Sequence, residues 1–285
     1  MNVGLIGLGL IGGSLGLALR AAGLATRVVG YDRSAADLKL AVERGAIDRA
    51  AGSAAEAVAD ADLVVLATPV LAMQGLLAEL APVLKPGAVV TDLASTKAAV
   101  TGWAAEAGIT FVGGHPMAGS EKSGMAAARL NLLRGAVYII TASPDTPVSA
   151  VDLVERLARG IGARPLRMAP EAHDRAVAAV SHVPFLASTA IVRVTTHAEE
   201  WDGWAPIAST GYRDATRLAS GDPAMYRDIC LTNGAAIAPM LRDLAQELER
   251  IAAGLEDRGL LDELFTDARD RRDAWVQGQG SFRLP

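Results

Sequence analysis

The segment Asn2-Val-Gly-Leu-Ile-Gly7-Leu-Gly9-Leu-Ile-Gly12-Gly-Ser14 decides the fold that the sequence predicts. It is a short apolar run followed by glycines with the G-x-G-x-x-G spacing, and a helical stretch follows to about Ala22. In that setting the glycines permit a tight turn, a close approach of the backbone to a pyrophosphate, and close packing of helix on strand. The phosphates would lie at the helix N-terminus. The expected dinucleotide contacts are Gly7, Gly9, Leu10, Ile11 and Gly12.

A second apolar run, Arg27 to Tyr31, ends in Asp32, twenty residues after Gly12. The dinucleotide-binding fold places an acid there to bind a ribose 2'-hydroxyl, so the pair of patterns indicates NAD rather than NADP. A glycine-rich turn with an acidic helix cap is the alternative explanation.

Further apolar runs continue the pattern, alternating with helical stretches near residues 70–84 and 96–107. Alternation of this kind predicts a parallel sheet with helices on its faces. The runs are Leu63 to Thr68, Ala88 to Leu93, Thr110 to Gly113, Ala136 to Thr141 and Arg164 to Met168.

Two of these runs end in polar residues that suit a cofactor site. Pro69 stops one strand and leaves Thr68 at the cofactor edge, so both are candidate cofactor contacts. The segment Asp92 to Lys97 follows the next strand and places Ser95 and Lys97 near the nicotinamide end. Ser95 also suits a helix N-cap, and the two roles are compatible.

One histidine stands out in the segment Phe111-Val-Gly-Gly-His115-Pro-Met-Ala-Gly-Ser120-Glu-Lys-Ser-Gly124. Pro116 disfavours helical backbone at His115, so the imidazole should lie in an extended segment at the carboxyl end of a strand. That is the ligand side of an open α/β sheet. A histidine there titrates near neutrality and can accept a proton from a reacting hydroxyl. The alternative is a histidine that only hydrogen-bonds the loop.

The chain changes character after Met168. From Pro170 to about Asp273 it has helical periodicity and no convincing strand. We therefore predict an NAD-binding domain at residues 1–168 and a helical domain at residues 169–285. Several of the helices are apolar on more than one face, which indicates that a second subunit covers part of this surface. A tightly packed monomer is the alternative.

The helical half also contains Arg213 and Arg217, which share a face if their segment is helical. Arginine suits fork-like recognition of a carboxylate. The alternative is a solvated face on which the arginines pair with Asp214 or Asp222.

Composition excludes several classes of protein. The 285 residues carry a formal net charge of -5 and only four tryptophans, four tyrosines and four phenylalanines, so a nucleic-acid partner is not expected. Cys230 is the single cysteine, which excludes an intrachain disulfide and fits a reducing compartment. The glycines of the first 25 residues argue against a signal or membrane segment. We expect a cytoplasmic protein without a membrane or metal partner.

Several of these segments together resemble the prephenate and arogenate (cyclohexadienyl) dehydrogenases of tyrosine biosynthesis, in order over about residues 1 to 270. They are Gly7 to Gly12 with Asp32, Asp92 to Lys97, Gly114 to Gly124, His173-Asp174, Ser181-His-Val-Pro184, Gly211-Tyr-Arg-Asp-Ala-Thr-Arg217 and Asp222-Pro-Ala-Met-Tyr-Arg-Asp228. The resemblance implies an N-terminal Rossmann domain that binds NAD, an all-α C-terminal dimerisation domain, and an oxidative decarboxylation of prephenate, arogenate or both.

The resemblance also implies roles for single residues. His115 matches the catalytic histidine, and Ser95 matches a serine near the substrate hydroxyl and the nicotinamide. Arg217 matches the arginine that binds the ring carboxylate. Ser120, Ser181 and Tyr226 match positions at the side-chain end of the substrate. An ionic cluster near the site entrance corresponds to Glu121, His173, Arg213 and Asp214, of which Arg213 is also a candidate substrate contact.

One departure concerns Phe185, which stands where many prephenate-preferring members have a second histidine. Substrate preference and tyrosine feedback therefore do not follow from the resemblance. Two other functions are alternatives. A β-hydroxyacid dehydrogenase of similar plan would need a lysine base in the helical half, but no lysine follows Lys122. A non-catalytic NAD-sensing regulator would not need His115 or Arg217.

Overall fold

The structure, a computed structural model, describes residues 1–120 and 122–280. Within that part of the chain eight strands form one sheet. They are β1 (Asn2–Ile6), β2 (Arg27–Tyr31), β3 (Arg49–Ala50), β4 (Leu63–Leu66), β5 (Val89–Asp92), β6 (Phe111–Pro116), β7 (Val137–Thr141) and β8 (Arg164–Arg167).

The strand order is β3-β2-β1-β4-β5-β6-β7-β8, which reverses direction between β1 and β4 and so opens a crevice at their carboxyl ends. All neighbouring strands are parallel except β6 and β7, which pair antiparallel with His115 opposite Ile139. The sequence predicts a parallel sheet, and for the pair β6 and β7 this prediction is wrong. The described chain between these two strands has only a short 3₁₀ turn, Met125–Ala127, and no crossover helix that a parallel return would need.

Six helices flank the sheet: α1 (Leu10–Ala21), α2 (Ala35–Glu43), α3 (Ala54–Val58), α4 (Val70–Leu80), α5 (Ala98–Glu106) and α6 (Val148–Gly160). They bury both faces of the sheet, because alternate strand residues point to opposite sides. In β4, Leu63 and Val65 join one core cluster, while Val64 and Leu66 join the other. Full burial of each such side chain stabilises the fold by about 1.5–3 kcal/mol.

The glycines between β1 and α1 are required by close packing. Gly7 has φ +93°, and a Cβ there would lie 2.5 Å from the carbonyl oxygen of Ala67. A Cβ on Gly12 would overlap the carbonyl oxygen of Gly7. A larger residue at Gly7 would clash with the backbone that follows β4, and one at Gly12 would clash with the turn that precedes α1, so both positions require glycine.

Helix α2 shows how the loop after β6 is anchored. The Ser34 hydroxyl accepts a hydrogen bond from the Asp37 N–H at 3.1 Å, so Ser34 is the N-cap of α2. The Asp37 carboxylate accepts from the N–H of Met125 at 2.8 Å. This bond fixes the end of the loop that carries Ser120.

The second half is helical throughout its described part, as the sequence predicts. Its helices are α7 (Pro170–Val177), α8 (Val183–Thr196), α9 (Trp201–Trp204), α10 (Thr210–Thr216), α11 (Pro223–Ala253) and α12 (Arg258–Gly280). A π-helical turn, Ala178–His182, joins α7 to α8, and a 3₁₀ turn, Arg217–Ser220, follows α10. Helix α11 is kinked at Asn233, whose φ of -127° and ψ of 19° are not helical.

The density of contacts divides the chain into two compact units, Met1–Gly234 and Ala235–Pro285. The first unit contains the sheet, helices α1 to α10 and the start of α11. This division differs from the boundary predicted near Met168, since α7 packs against α5 and β7 of the sheet-bearing half. The boundary near Met168, with domains at 1–168 and 169–285, stays a prediction.

The run Pro170–Thr196 is long and apolar enough to cross a membrane by length and composition, with a mean hydropathy of 1.5 over its most apolar window. The core helix of a soluble protein meets the same criterion. Within this run His173, Asp174 and His182 are buried and hydrogen-bonded to other segments. That the protein has no membrane partner stays a prediction.

Candidate active site

The carboxyl ends of β1, β2, β4 and β5 bring the predicted cofactor residues to one edge of the sheet. Helix α1 begins at Leu10, directly after Gly9, which provides no side-chain cap for the first N–H groups. A Cβ on Gly9 would meet no atom within 4 Å, so the space over this turn is open. Open space at the positive end of a helix fits a pyrophosphate.

Asp32 is held at the end of β2 by two backbone donors. Its carboxylate accepts from the N–H of Leu8 at 2.7 Å and from that of Ser34 at 2.8 Å. A carboxylate has about four acceptor positions, so these two bonds leave capacity for ribose hydroxyls. The hydroxyl of Thr68 is buried without a hydrogen-bond partner in the described chain, next to Gly7 and to the exposed Pro69. These groups fit NAD.

His115 lies in β6, is 9% exposed and belongs to a line of three polar side chains. Its Nδ1 atom is 2.8 Å from Nε2 of His173. The Nδ1 atom of His173 is in turn 2.7 Å from the Asp174 carboxylate. The same carboxylate accepts from the N–H of Lys97 at 2.7 Å and from that of Ala98 at 2.9 Å, where α5 begins. Asp174 therefore joins α7 to both the histidine pair and α5.

Burial lowers the pKa of His115 well below its ordinary value of 6.5. The positive charge of Lys97 lowers the pKa further, as do the neighbouring His173 and His182. A histidine with a lowered pKa is neutral at pH 7 and carries a free lone pair. His115 can therefore accept a proton.

Lys97 is fully buried and forms an ion pair with Asp92 at the end of β5. Burial lowers the pKa of Lys97, and the Asp92 charge opposes this shift. The Asp92 carboxylate also accepts from the N–H groups of Ala94 at 3.0 Å and Gly114 at 2.9 Å. This cluster fixes the backbone beside His115. The sequence placed Lys97 near the nicotinamide, but its side chain points to Asp92 inside the protein.

Two interpretations of the sequence need correction. Ser95 is not the N-cap of α5, because Lys97 occupies that position and Asp174 binds the helix N–H groups. The Ser95 side chain is half-buried, and no described group bonds its hydroxyl. His173, expected in an ionic cluster near the site entrance with Arg213 and Asp214, is instead fully buried and bonded to His115.

Phe185 and Tyr226 form an aromatic wall in the helical half. Their rings stack with centroids 3.9 Å apart, and the Tyr226 hydroxyl donates to the carbonyl oxygen of Leu218 at 2.8 Å. Burial raises the pKa of Tyr226, and the charge of Arg217 opposes this shift. Arg217 is exposed at the start of the 3₁₀ turn and has no ion pair among the described residues. Its guanidinium is thus free to bind an anion beside the wall.

Asn233, at the kink of α11, links the wall to the histidine line. Its side-chain amide donates to the carbonyl oxygen of Asp174 at 2.8 Å and lies 3.1 Å from Nδ1 of His182. The His182 ring contacts Phe185 with centroids 5.9 Å apart. Burial lowers the pKa of His182 to about 4. A continuous set of contacts thus runs from His115 to Tyr226.

Other predicted site residues lie at the periphery. Arg213 and Asp214 are exposed and pair with each other at 3.6 Å. Ser120 is exposed and accepts from the N–H of Lys122 at 3.3 Å, while Ser181 is half-buried in the π-helical turn. Glu121 lies outside the described residues. Among the side chains that the structure describes, no group of three or more His, Cys, Asp or Glu could hold a metal ion.

Sequence reasoning gave no role to Asp174 or Asn233. The adjacency of His173 and Asp174 was a signal for the first, since a carboxylate beside a histidine can orient the ring. Asn233 has no such signal, because its importance comes from a kink in a long helix.

The chain is similar to several known proteins. The family described as prephenate dehydrogenase, nucleotide-binding domain, matches residues 15–166, and the family described as prephenate dehydrogenase, dimerization domain, matches residues 169–267. Prephenate dehydrogenase of Bacillus subtilis is 38% identical over 94% of this chain and 74% of its own length. Cyclohexadienyl dehydrogenase of Zymomonas mobilis is 31% identical over 95% of this chain and 94% of its own length.

A solved structure is also similar. Prephenate dehydrogenase from A. aeolicus, in complex with hydroxyphenyl propionate and NAD+, superposes with a TM-score of 0.89 at 31% identity. The match covers 96% of this chain and 98% of that one. With both family matches, which together extend over most of the sequence, these similarities show that the chain belongs to the prephenate dehydrogenase family.

Proposed function

We propose that this protein catalyses the NAD-dependent oxidative decarboxylation of prephenate, of arogenate, or of both. The observation that carries the proposal is the buried His115, which is held by His173 at the carboxyl end of the sheet and whose pKa is lowered so that it is neutral. The names of the relatives, prephenate dehydrogenase and cyclohexadienyl dehydrogenase, support the substrate class.

The reaction needs a base on one hydroxyl group. The substrate carries a ring alcohol and a ring carboxylate on a cyclohexadiene, and NAD, when bound, accepts the hydride from the carbinol carbon. His115 accepts the hydroxyl proton as the carbonyl forms. Loss of carbon dioxide from the resulting dienone makes the ring aromatic, and His115 can return the proton to the phenolate oxygen. General-base assistance of this kind contributes roughly 100- to 10,000-fold to a rate.

The other site residues have positioning and binding roles in this proposal. Ser95, whose hydroxyl no described group bonds, would donate to the substrate hydroxyl near the nicotinamide. Arg217, which has no ion pair among the described residues, would bind the ring carboxylate through its guanidinium. Tyr226, Ser181, Ser120 and Arg213 would line the side-chain end, with Glu121 and Asp214 nearer the solvent. Gly7, Gly9, Leu10, Ile11, Gly12, Asp32, Thr68 and Pro69 would contact NAD.

We also propose that the protein is a cytoplasmic homodimer. The dimerization-domain family matches residues 169–267, and this half exposes many large apolar side chains. Those in the first unit include Val180, Val194, Ile207 and Leu231. Burying a large exposed apolar surface is what drives subunits together. Light scattering after gel filtration should give twice the chain mass.

The activity is tested by following NADH absorbance with purified enzyme, NAD and either prephenate or arogenate. We expect NADH to form with at least one substrate, together with an equal amount of carbon dioxide. If NAD binds but neither substrate is oxidised, the proposal is wrong.

A further inference from the structure

The hydrogen bonds around His115 have a defined direction. A carboxylate can only accept a hydrogen bond, so the His173 nitrogen that faces Asp174, Nδ1, must carry a proton. In a neutral imidazole the other nitrogen then has the lone pair. That nitrogen, Nε2 of His173, lies 2.8 Å from Nδ1 of His115 and can only accept from it. His115 must therefore carry its own proton on Nδ1.

We propose that His173 and Asp174 are positioning residues that hold His115 in this tautomer, which leaves Nε2 of His115 as the atom that accepts the substrate's hydroxyl proton. The role in turnover rests on the proposed function, whereas the tautomer belongs to the protein alone.

The opposite tautomer would require a second proton on His173. His173 would then be a cation in a pocket that already contains the buried Lys97, and it is fully buried itself. Burying an additional charge is costly unless a partner compensates it. The Asp174 carboxylate that would have to compensate it is already shared with the N–H groups of Lys97 and Ala98. A neutral His173 satisfies every bond without an added charge.

The ionisable groups that face His115 come from three segments: Lys97 from the loop before α5, His173 from α7, and His182 from the π-helical turn. All three act in the direction that keeps His115 neutral. Burial is the main cause that keeps His115 neutral, and these three groups add to it, whereas the tautomer and ring orientation depend on one contact, with His173. A single substitution of His173 can therefore remove the contact that sets the tautomer and orientation of the His115 ring.

Asp174 also connects His115, through His173, to the loop that carries Ser95. Its carboxylate binds the first N–H groups of α5, and the loop before α5 carries Ser95. The amide of Asn233 holds the backbone of Asp174 from the other side. The base and the Ser95 loop are thus oriented by one carboxylate.

Two substitutions of His173 separate positioning from a structural role. In His173→Gln the side-chain oxygen can take the place of Nε2 and still accept from Nδ1 of His115. In His173→Leu no acceptor remains. We expect kcat to fall about 100-fold in His173→Leu, the lower end of what a general base contributes, with KM for substrate and the Kd for NAD changed less than about 3-fold. The kcat of His173→Gln should be at least about tenfold higher than that of His173→Leu.

The tautomer is measured directly by ¹⁵N NMR of the histidine rings, without substrate. The chain has four histidines, so each signal can be assigned by substitution. We expect His115 to carry its proton on Nδ1 in the wild type and in His173→Gln, and to lose this preference in His173→Leu. Thermal unfolding of each variant shows whether it is folded.

A His115 ring protonated on Nε2 in the wild type would overturn the proposal, whatever the activity. Equal loss of kcat in folded His173→Gln and His173→Leu, or wild-type kcat in His173→Leu, would also overturn it. If the wild type oxidises neither prephenate nor arogenate, the proposed function fails, and the NMR result still decides the tautomer.

Discussion

Phe185 stacks on Tyr226 with ring centroids 3.9 Å apart and ring planes 3° apart. Phe185 is 3% exposed, so its ring is part of the core as well as part of the wall beside Arg217. It offers neither a hydrogen-bond donor for a keto acid nor a negative charge for an ammonium group. In the proposed site, the side-chain end of the substrate would therefore meet an apolar ring at this position.

Substrate choice should consequently be permissive. We expect kcat/KM for prephenate and arogenate to agree within about 100-fold, and inhibition by tyrosine to be weak or absent, because Phe185 cannot discriminate the two groups. Phe185→His should shift the ratio toward prephenate, while Phe185→Leu, which stays apolar, should not. A ratio above about 100 in the wild type, roughly 2.7 kcal/mol, would mean that specificity is set by other residues.

Cofactor preference should depend on Asp32. Its carboxylate would accept from a free 2'-hydroxyl and repel a 2'-phosphate, so kcat/KM should be at least about tenfold higher with NAD than with NADP. Asp32→Asn should narrow this ratio. Asp48→Asn is a matched control, since Asp48 accepts from the N–H of Val28 at 2.7 Å near the other end of β2. Equal turnover with NADP in the wild type would show that Asp32 does not select the cofactor.

Arg217 should act mainly on substrate binding. A carboxylate contact present in both the ground state and the transition state changes KM more than kcat. We expect Arg217→Ala to raise KM by roughly 10-fold or more, since a hydrogen bond to a charged group contributes about 1.5–3 kcal/mol. Arg217→Lys keeps the positive charge but loses the two parallel hydrogen bonds of a guanidinium. Its KM should therefore lie between that of the wild type and that of Arg217→Ala. Unchanged KM in Arg217→Ala would place Arg217 on a solvated face.

Stability should fall between pH 7 and pH 5 because of His182. Burial lowers its pKa from 6.5 to about 4, so the unfolded state binds the proton first as the pH falls. The stabilisation is complete above pH 6.5 and is lost as the pH falls toward 4. Between pH 7 and pH 5 the free energy of unfolding should fall in the wild type. In His182→Asn we expect this fall to be smaller by about 2 kcal/mol.

The measurement is urea unfolding at fixed protein concentration at both pH values. His197→Asn is the matched control, because His197 is exposed at the end of α8 whereas His182 is buried. If His182→Asn and His197→Asn gave the same pH dependence as the wild type, the buried ring would not be the cause.

Much of the first half could be predicted because its signals are local. Each of its main features indicates the local structure of the few residues around it: the glycines after β1, the acid after β2 and the apolar runs. The contacts of the site are different, since Asp174 binds the backbone of Lys97 across 77 residues of sequence. No periodicity encodes such a pairing, which explains why the N-cap of α5, the burial of His173 and the direction of Lys97 could not be predicted.

The antiparallel pairing of β6 with β7 was also beyond the sequence pattern. An apolar run predicts a strand, but it does not predict whether the neighbouring strand is parallel or antiparallel. The sequence between these two strands has no pattern that indicates an antiparallel return. The consequence for the site is that Pro116 and His115 are paired within the sheet, opposite Tyr138 and Ile139. The catalytic candidate is thus held by a strand rather than by a free loop.

The most direct test of the account is the rate of NADH formation from prephenate, and from arogenate, by the wild type and His115→Asn at saturating NAD. Asparagine can keep a hydrogen bond but cannot accept the proton, so kcat should fall roughly 100- to 10,000-fold while the Kd for NAD stays within about 3-fold. Because His115 is already neutral, wild-type kcat/KM should not decline as the pH is lowered through 6.5 on account of this residue. Wild-type kcat in a folded His115→Asn variant would contradict the assignment of His115 as the base.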